Sequence, residues 1–277
     1  MLICLPPSEG KTPAPDGGAP VDLTALTAPG LSPQRETVLD ALATVSVRPD
    51  ATEILKVGAS LADEVARNTS LRTAPAAPAT QVYTGVLYAA AGLGDLTGPP
   101  AALAADSVRI FSGLWGAVAP TDRIPAYRLS MGVDLPGIGR LATAWRAHLA
   151  DALAERASGD VVVDCRSAAY LAAWKPPTEG ERAAEWVTVR VVRDTDGRRA
   201  VVSHNAKHTR GVLTGHLLRR AGDPPSSADE LLAAARELDG EIIGTEVGTG
   251  LSYRMIEATL SAPASRRGAR TLELVIA

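Results

Sequence analysis

The chain has 277 residues, 46% of them hydrophobic, with 28 Lys and Arg against 31 Asp and Glu, a formal net charge of -3. That is enough apolar residue for one large core, and the charge balance excludes a strongly basic nucleic-acid coat, so any polyanion site must be a local patch. Two cysteines, Cys4 and Cys165, each inside an apolar run, suit reduced buried thiols better than a disulfide framework.

In chain order, β-branched runs alternate with Ala- and Leu-rich stretches of helical period. Strands are predicted at Leu2 to Leu5, Arg109 to Phe111, Val161 to Cys165, Trp186 to Val192, Ala200 to Ser203, Glu241 to Ile243 and Leu272 to Ile276. Helices are predicted at Pro33 to Ala43, Glu53 to Asn68, Ile138 to Ala157, Asn205 to Ala221 and Ser227 to Leu238. The alternation predicts one α/β domain over residues 1–277, a single mixed sheet flanked by helices. Asp194-Thr195-Asp196-Gly197 between alternating runs predicts a hairpin, and the Gly- and Pro-rich stretches 13–20 and 73–79 predict mobile loops. Leu135-Pro136-Gly137-Ile138-Gly139 reads as the turn of a helix-hairpin-helix-like element over 133–157, with backbone N–H groups open to a phosphate. No apolar run reaches the roughly 18 residues of a membrane span, and the N-terminus carries no basic leader, so the expected setting is cytoplasmic.

Four clusters carry chemistry. Ser8-Glu9-Gly10-Lys11-Thr12 follows the first strand, where α/β folds gather ligands, and a solvated turn with an N-cap is the lesser alternative. A nucleotide triphosphatase loop is excluded, because Leu5 stands where that motif needs glycine and Pro6-Pro7 lack N–H groups. Val82-Tyr83-Thr84-Gly85 offers a ring for stacking, or a core tyrosine. Ser112-Gly113-Leu114-Trp115-Gly116, with Asp122, Tyr127 and Arg128 close behind, reads either as a pocket with an anion-binding arginine or as a loop fixed by an Arg128 to Asp122 ion pair. Ser203 to Gly211 places Lys207 and Arg210 at a helix start, against the dipole preference, which suggests an anionic ligand; a solvated face is the simpler alternative. The histidines and cysteines form no metal-ligand set, and neither metal nor cofactor is expected.

Taken in order, these blocks, together with Pro125-Ala126-Tyr127-Arg128-Leu129-Ser130-Met131-Gly132 and Ala206-Lys207-His208-Thr209-Arg210-Gly211, resemble the signature blocks of the YaaA-type peroxide stress resistance proteins, the UPF0246 type. The resemblance spans nearly the whole chain and implies an elongated α/β domain with a positively charged cleft, DNA binding, and protection from iron-driven oxidative damage. Carried over block by block, it implies a cleft lined by Ser8, Lys11, Thr12, Tyr83, Thr84, Ser112, Tyr127, Arg128, Lys207 and Arg210. Glu9-Gly10 departs from the Pro-Ala of many members and sets a carboxylate beside Lys11.

Two functions are expected, the first of them favoured because both the hairpin and the family resemblance stand behind it. In one, the protein binds duplex DNA through its backbone, with Gly137, Gly139 and Arg140 on phosphates and affinity that falls with salt. In the other, the cleft is an active site for a nucleobase, nucleotide or other small anion. Glu9, Lys11 and Tyr127 are then the catalytic candidates: Glu9 exchanges protons, Lys11 and Arg128 hold the anion, and Tyr83 or Tyr127 stacks on a ring. Glu9→Gln is expected to abolish turnover while sparing DNA binding, and Arg140→Ala to affect mainly DNA.

Overall fold

Leu2–Leu5 is apolar at every position, a pattern that fits a strand covered on both faces, and all four residues are fully buried in the interior of the sheet. The computed structural model describes the chain except residues 182, 203, 246–249, 264 and 266–267 and the side chain of His204. Ser203, expected to end one strand and open the Lys207 cluster, therefore lies outside the described residues. Nine strands make one mixed sheet. They are β1 (Leu2–Leu5), β2 (Val108–Ser112), β3 (Gly116–Val118), β4 (Val161–Asp164), β5 (Glu185–Thr195), β6 (Arg198–Val201), β7 (Ile242–Thr245), β8 (Ser252–Ser261) and β9 (Arg270–Ile276).

Their order is β7-β8-β9-β5-β4-β1-β2-β3, with β6 paired to β5. The five strands from β9 to β2 are mutually parallel, so their carboxyl ends share one edge. The outer pairings are antiparallel. Asp196 and Gly197 both take positive φ, and the Gly197 N–H donates to Asp194 Oδ1, forming the tight hairpin that the sequence predicts between β5 and β6.

The principal helices are α1 (Ser32–Ser46), α2 (Val86–Ala91), α3 (Gly98–Ser107), α4 (Leu141–Ala157), α5 (His204–Arg219) and α6 (Ala228–Arg236). Helix α6 starts where Ser227 Oγ accepts the Glu230 N–H, while Glu230 reaches back to Ser226. Helix α5 lies directly on α2, because Gly211 has no Cβ: one added there sits well inside contact distance of the Leu87 carbonyl. Trp115, Trp145, Trp174, Tyr83 and Phe111 are the largest rings fully enclosed by the core.

Three expectations change. The helix expected over Glu53 to Asn68 is broken into Ala51–Ile54, Ala62–Ala66 and short 3-10 turns. The break falls at Lys56, whose φ of 56° is left-handed, followed by Val57-Gly58. The stretches 13–20 and 73–79 pair with each other: Pro20 bridges Pro75, the Ala76 N–H donates to the Ala19 carbonyl, and Ala77–Pro78 pairs with Arg123–Ile124. Finally, Asp134–Leu135 and Gly139–Arg140 do form a small hairpin leading into α4, with Gly137 and Gly139 at φ 84° and 82°. No helix precedes it, since residues 125–133 are irregular and the buried Asn68 side chain brackets the Arg128 backbone from both sides. The element is a hairpin followed by one helix.

Candidate functional site

The carboxyl end of β1 continues as Pro6-Pro7-Ser8-Glu9-Gly10-Lys11, and that of β4 as Cys165-Arg166-Ser167. Between these segments lies a cavity of about 540 Å³, within the usual range for small-molecule sites. Its wall carries Ser8, Glu9, Lys11, Lys56, Tyr88, Arg128, Ser130, Ser167, Tyr170, Lys207 and Arg210 beside apolar residues. Five cations thus face one carboxylate, that of Glu9, although the chain as a whole is acidic.

The loop is fixed from several directions. Tyr88 donates its hydroxyl proton to the Pro6 carbonyl at 2.7 Å. Ser8 Oγ donates to the Gly10 carbonyl at 2.5 Å, and Lys11 Nζ donates to the carbonyls of Ser8 and Glu9 at 2.9 and 3.2 Å. Thr12 and Thr84 sit to one side of the cavity, their hydroxyls joined at 2.9 Å, and the Thr12 N–H donates to the Val82 carbonyl. These two threonines tie the loop down and do not line the wall.

Tyr83, Tyr127 and Ser112 lie beneath the wall, each almost wholly buried. Ser112 Oγ accepts the N–H groups of Leu114 and Trp115, which occupies its lone pairs. Its proton therefore goes to Tyr127 at 2.6 Å, and the Tyr127 proton to Tyr83 at 2.9 Å. Burial holds both phenols above their ordinary range, so they stay protonated. Lys11 Nζ stands 4.4 Å from the centre of the Tyr127 ring. Loss of water, reinforced by the neighbouring Arg128 charge, lowers Lys11 to about 7, while Glu64 and Glu9 oppose the shift.

Arg128 donates to the Glu9 carbonyl at 3.0 Å and pairs with Glu64 at 3.3 Å. The alternative Arg128 to Asp122 pair does not form, because Asp122 accepts from Thr27 and Ala119. Arg210 gives two hydrogen bonds to the Val189 carbonyl of β5, and exposed Lys207 stands one turn earlier on α5. Of the expected site residues, Ser8, Glu9, Lys11, Arg128, Lys207 and Arg210 meet at the wall. Gly137, Gly139 and Arg140 lie on the separate hairpin, which continues the wall segment Gly132-Val133.

Several contributors carry no sequence signal of their own. Lys56 projects from the helix break and donates to the Gly132 carbonyl. Asp164 and Arg166 form a fully buried two-pronged pair, with Arg166 4.0 Å over the Phe111 ring and donating to the Tyr170 and Trp174 carbonyls, while Trp186 donates to Asp164. Among the described residues, no group of His, Cys, Asp and Glu is placed to hold a metal ion, and no helix is long and apolar enough to cross a membrane.

Fold and site together define an α/β protein with a cationic cavity at the carboxyl edge of its parallel strands. The chain belongs to the YaaA peroxide stress protein family, whose model matches residues 1–237. A UPF0246 protein of Streptomyces coelicolor is 48% identical over 244 residues, 87% of this chain and 92% of the relative. Similar proteins of the same designation occur in Corynebacterium efficiens, at 40% over 85% of this chain and 92% of the relative, and in Cereibacter sphaeroides strain ATCC 17029, at 31% over 81% and 89%.

Proposed function

We propose that the cavity binds a small phosphate-bearing ligand, a nucleotide or a sugar phosphate related to one, and that this binding serves the peroxide stress role of the family. The observation that carries the reading is the meeting of Lys11, Lys56, Arg128, Lys207 and Arg210 around about 540 Å³ of space with Glu9 as the single acid. Arg128 and Lys207 hold the phosphate, and the apolar wall of Val57, Val86, Leu87 and Leu129 takes the remainder of the ligand. Glu9 is the group available for proton exchange on a bound substrate, the role under which this cavity acts as an enzyme site. Calorimetric titration of adenosine monophosphate into wild type and Arg128→Ala tests the reading. The expected loss is about tenfold, or ~1.4 kcal/mol. Equal affinity in both proteins, or no binding by either at millimolar ligand, overturns it.

A second reading, backbone-directed binding of duplex DNA in the cytoplasm to limit iron-driven damage, is favoured by the exposed hairpin. Gly137, whose added Cβ meets nothing, and exposed Arg140 present an open turn and a cation just before α4, while the Ile138 and Leu141 N–H groups donate to the Leu135 and Val133 carbonyls. On that reading Arg140→Ala weakens duplex binding and lessens its salt dependence. Duplex affinity unchanged between 50 and 200 mM salt, the span over which phosphate contacts cost roughly 10³-fold or more, is the contrary result.

A further inference from the structure

We propose that Lys11 is a nucleophile that forms a Schiff base with an aldehyde or ketone carried by the phosphate-bearing ligand of the cavity. The inference rests on the small-ligand reading above and names the substrate class. Its first support is the distribution of lysine. The chain uses arginine for nearly all its positive charge, and its four lysines are Lys11, Lys56, Lys175 and Lys207. Three of them line the one cavity described, among five cations there, where a proportional share would be under one. Arginine binds phosphate at least as well as lysine and is the residue this chain otherwise selects. Lysine offers what arginine does not, an amine that can give up its proton and form a carbon–nitrogen bond.

Geometry separates Lys11 from the other two. Lys207 is exposed on α5, and Lys56 is exposed and held to the Gly132 carbonyl. Lys11 Nζ is enclosed between the Tyr127 ring, Arg128 and its own loop, and two carbonyls, those of Ser8 and Glu9, accept from it. A neutral amine has two N–H donors and one lone pair, so these acceptors satisfy both donors and leave the pair for an electrophile. Desolvation and the Arg128 charge favour that neutral form near pH 7. Arg128 and Lys207 remain to hold the phosphate, which fixes the carbonyl end of the ligand within the cavity.

The chemistry needs no oxidant or reductant. The Nζ lone pair attacks the carbonyl carbon, the C=O π pair moves to oxygen, and the proton shed by nitrogen reaches that oxygen, giving a carbinolamine. Glu9, on the same wall, is the carboxyl group placed to carry this proton, and then to take the second proton from nitrogen and deliver it to the departing hydroxyl. Loss of water leaves the imine.

The test is cyanoborohydride trapping of the wild-type protein with glyceraldehyde 3-phosphate, with peptide mass mapping and Lys175 as the exposed lysine outside the cavity wall. The expected result is Lys11 modified at least ten times faster than Lys175, a rate that levels off above about pH 7, and suppression by inorganic phosphate. Phosphate-free glyceraldehyde is expected to lose that preference. Modification of Lys11 no faster than Lys175, or preference for Lys207, overturns the nucleophile. The calorimetric titration with adenosine monophosphate judges the cavity independently: if the nucleotide binds and Lys11 is not trapped, the pocket stands and the Schiff base falls.

Discussion

At the scale of single residues, the chemistry of the cavity depends most on Lys11. Its lowered value of about 7 means that the folded protein releases a proton that the unfolded chain, near the ordinary lysine value, keeps up to about 10.5. Between these limits the unfolded state binds more protons, so this lysine makes stability rise with pH, and below pH 7 its buried charge opposes folding in full. The stability of wild type relative to Lys11→Met is therefore expected to rise from pH 7 to 9 by up to about 1.4 kcal/mol per pH unit. Denaturant unfolding at both pH values checks it, and a flat difference contradicts it. Sequence identified the residues of this loop but not their arrangement. Tyr83 and Tyr127 read equally as stacking rings or core rings, and the structure makes them a buried hydroxyl chain below the wall. That choice depends on Ser112, whose lone pairs are filled by backbone N–H groups fixed only once the Gly113 turn has formed. The thiols were legible. Cys4 and Cys165 are wholly buried in or beside adjacent strands, and burial raises both, Cys165 to about 12, which removes the thiolate that peroxide attacks.

At the scale of elements, the central strands were legible because burial on both faces demands unbroken apolar runs, as in Leu2–Leu5 and Val161–Asp164. β8 was not. It alternates Tyr253, Arg254, Met255 and Ile256 in the manner of a half-exposed strand, but the register shifts between Met255 and Glu257 and interrupts the period. The break at Lys56 was hidden for another reason: a left-handed lysine has no compositional mark, and Gly58, two residues on, was the only local sign. The buried Asp164 to Arg166 pair at the end of β4 holds the segment that brings Ser167 and Tyr170 to the cavity. Asp164→Asn leaves a guanidinium uncompensated between Phe111 and Trp174, and a loss of roughly 3–5 kcal/mol is expected. Thermal and denaturant unfolding measure this, and a change below 1 kcal/mol means the pair is not the anchor. Gly211→Ala forces α5 away from the Leu87 carbonyl and moves Lys207 and Arg210 with it, so it weakens anion binding without touching the ligand.

At the scale of the whole molecule, one mixed sheet with five parallel strands places its strand ends on a single edge, and the cationic side chains drawn from residues 8–11, 56, 128 and 207–210 meet there. An acidic chain thus has a concentrated positive site, a property invisible in the net charge of -3 and visible only after folding. The hairpin at 134–140 lies apart from the cavity mouth, joined to it through Gly132-Val133. Whether the cavity or the hairpin is the principal anion site is the central question, and a crystal structure of the protein saturated with adenosine monophosphate answers it most directly. The nucleotide is expected in the cavity, with its phosphate in hydrogen-bond contact with Arg128 and Lys207. An empty cavity with the nucleotide phosphate seated on the Gly137 to Arg140 backbone contradicts it.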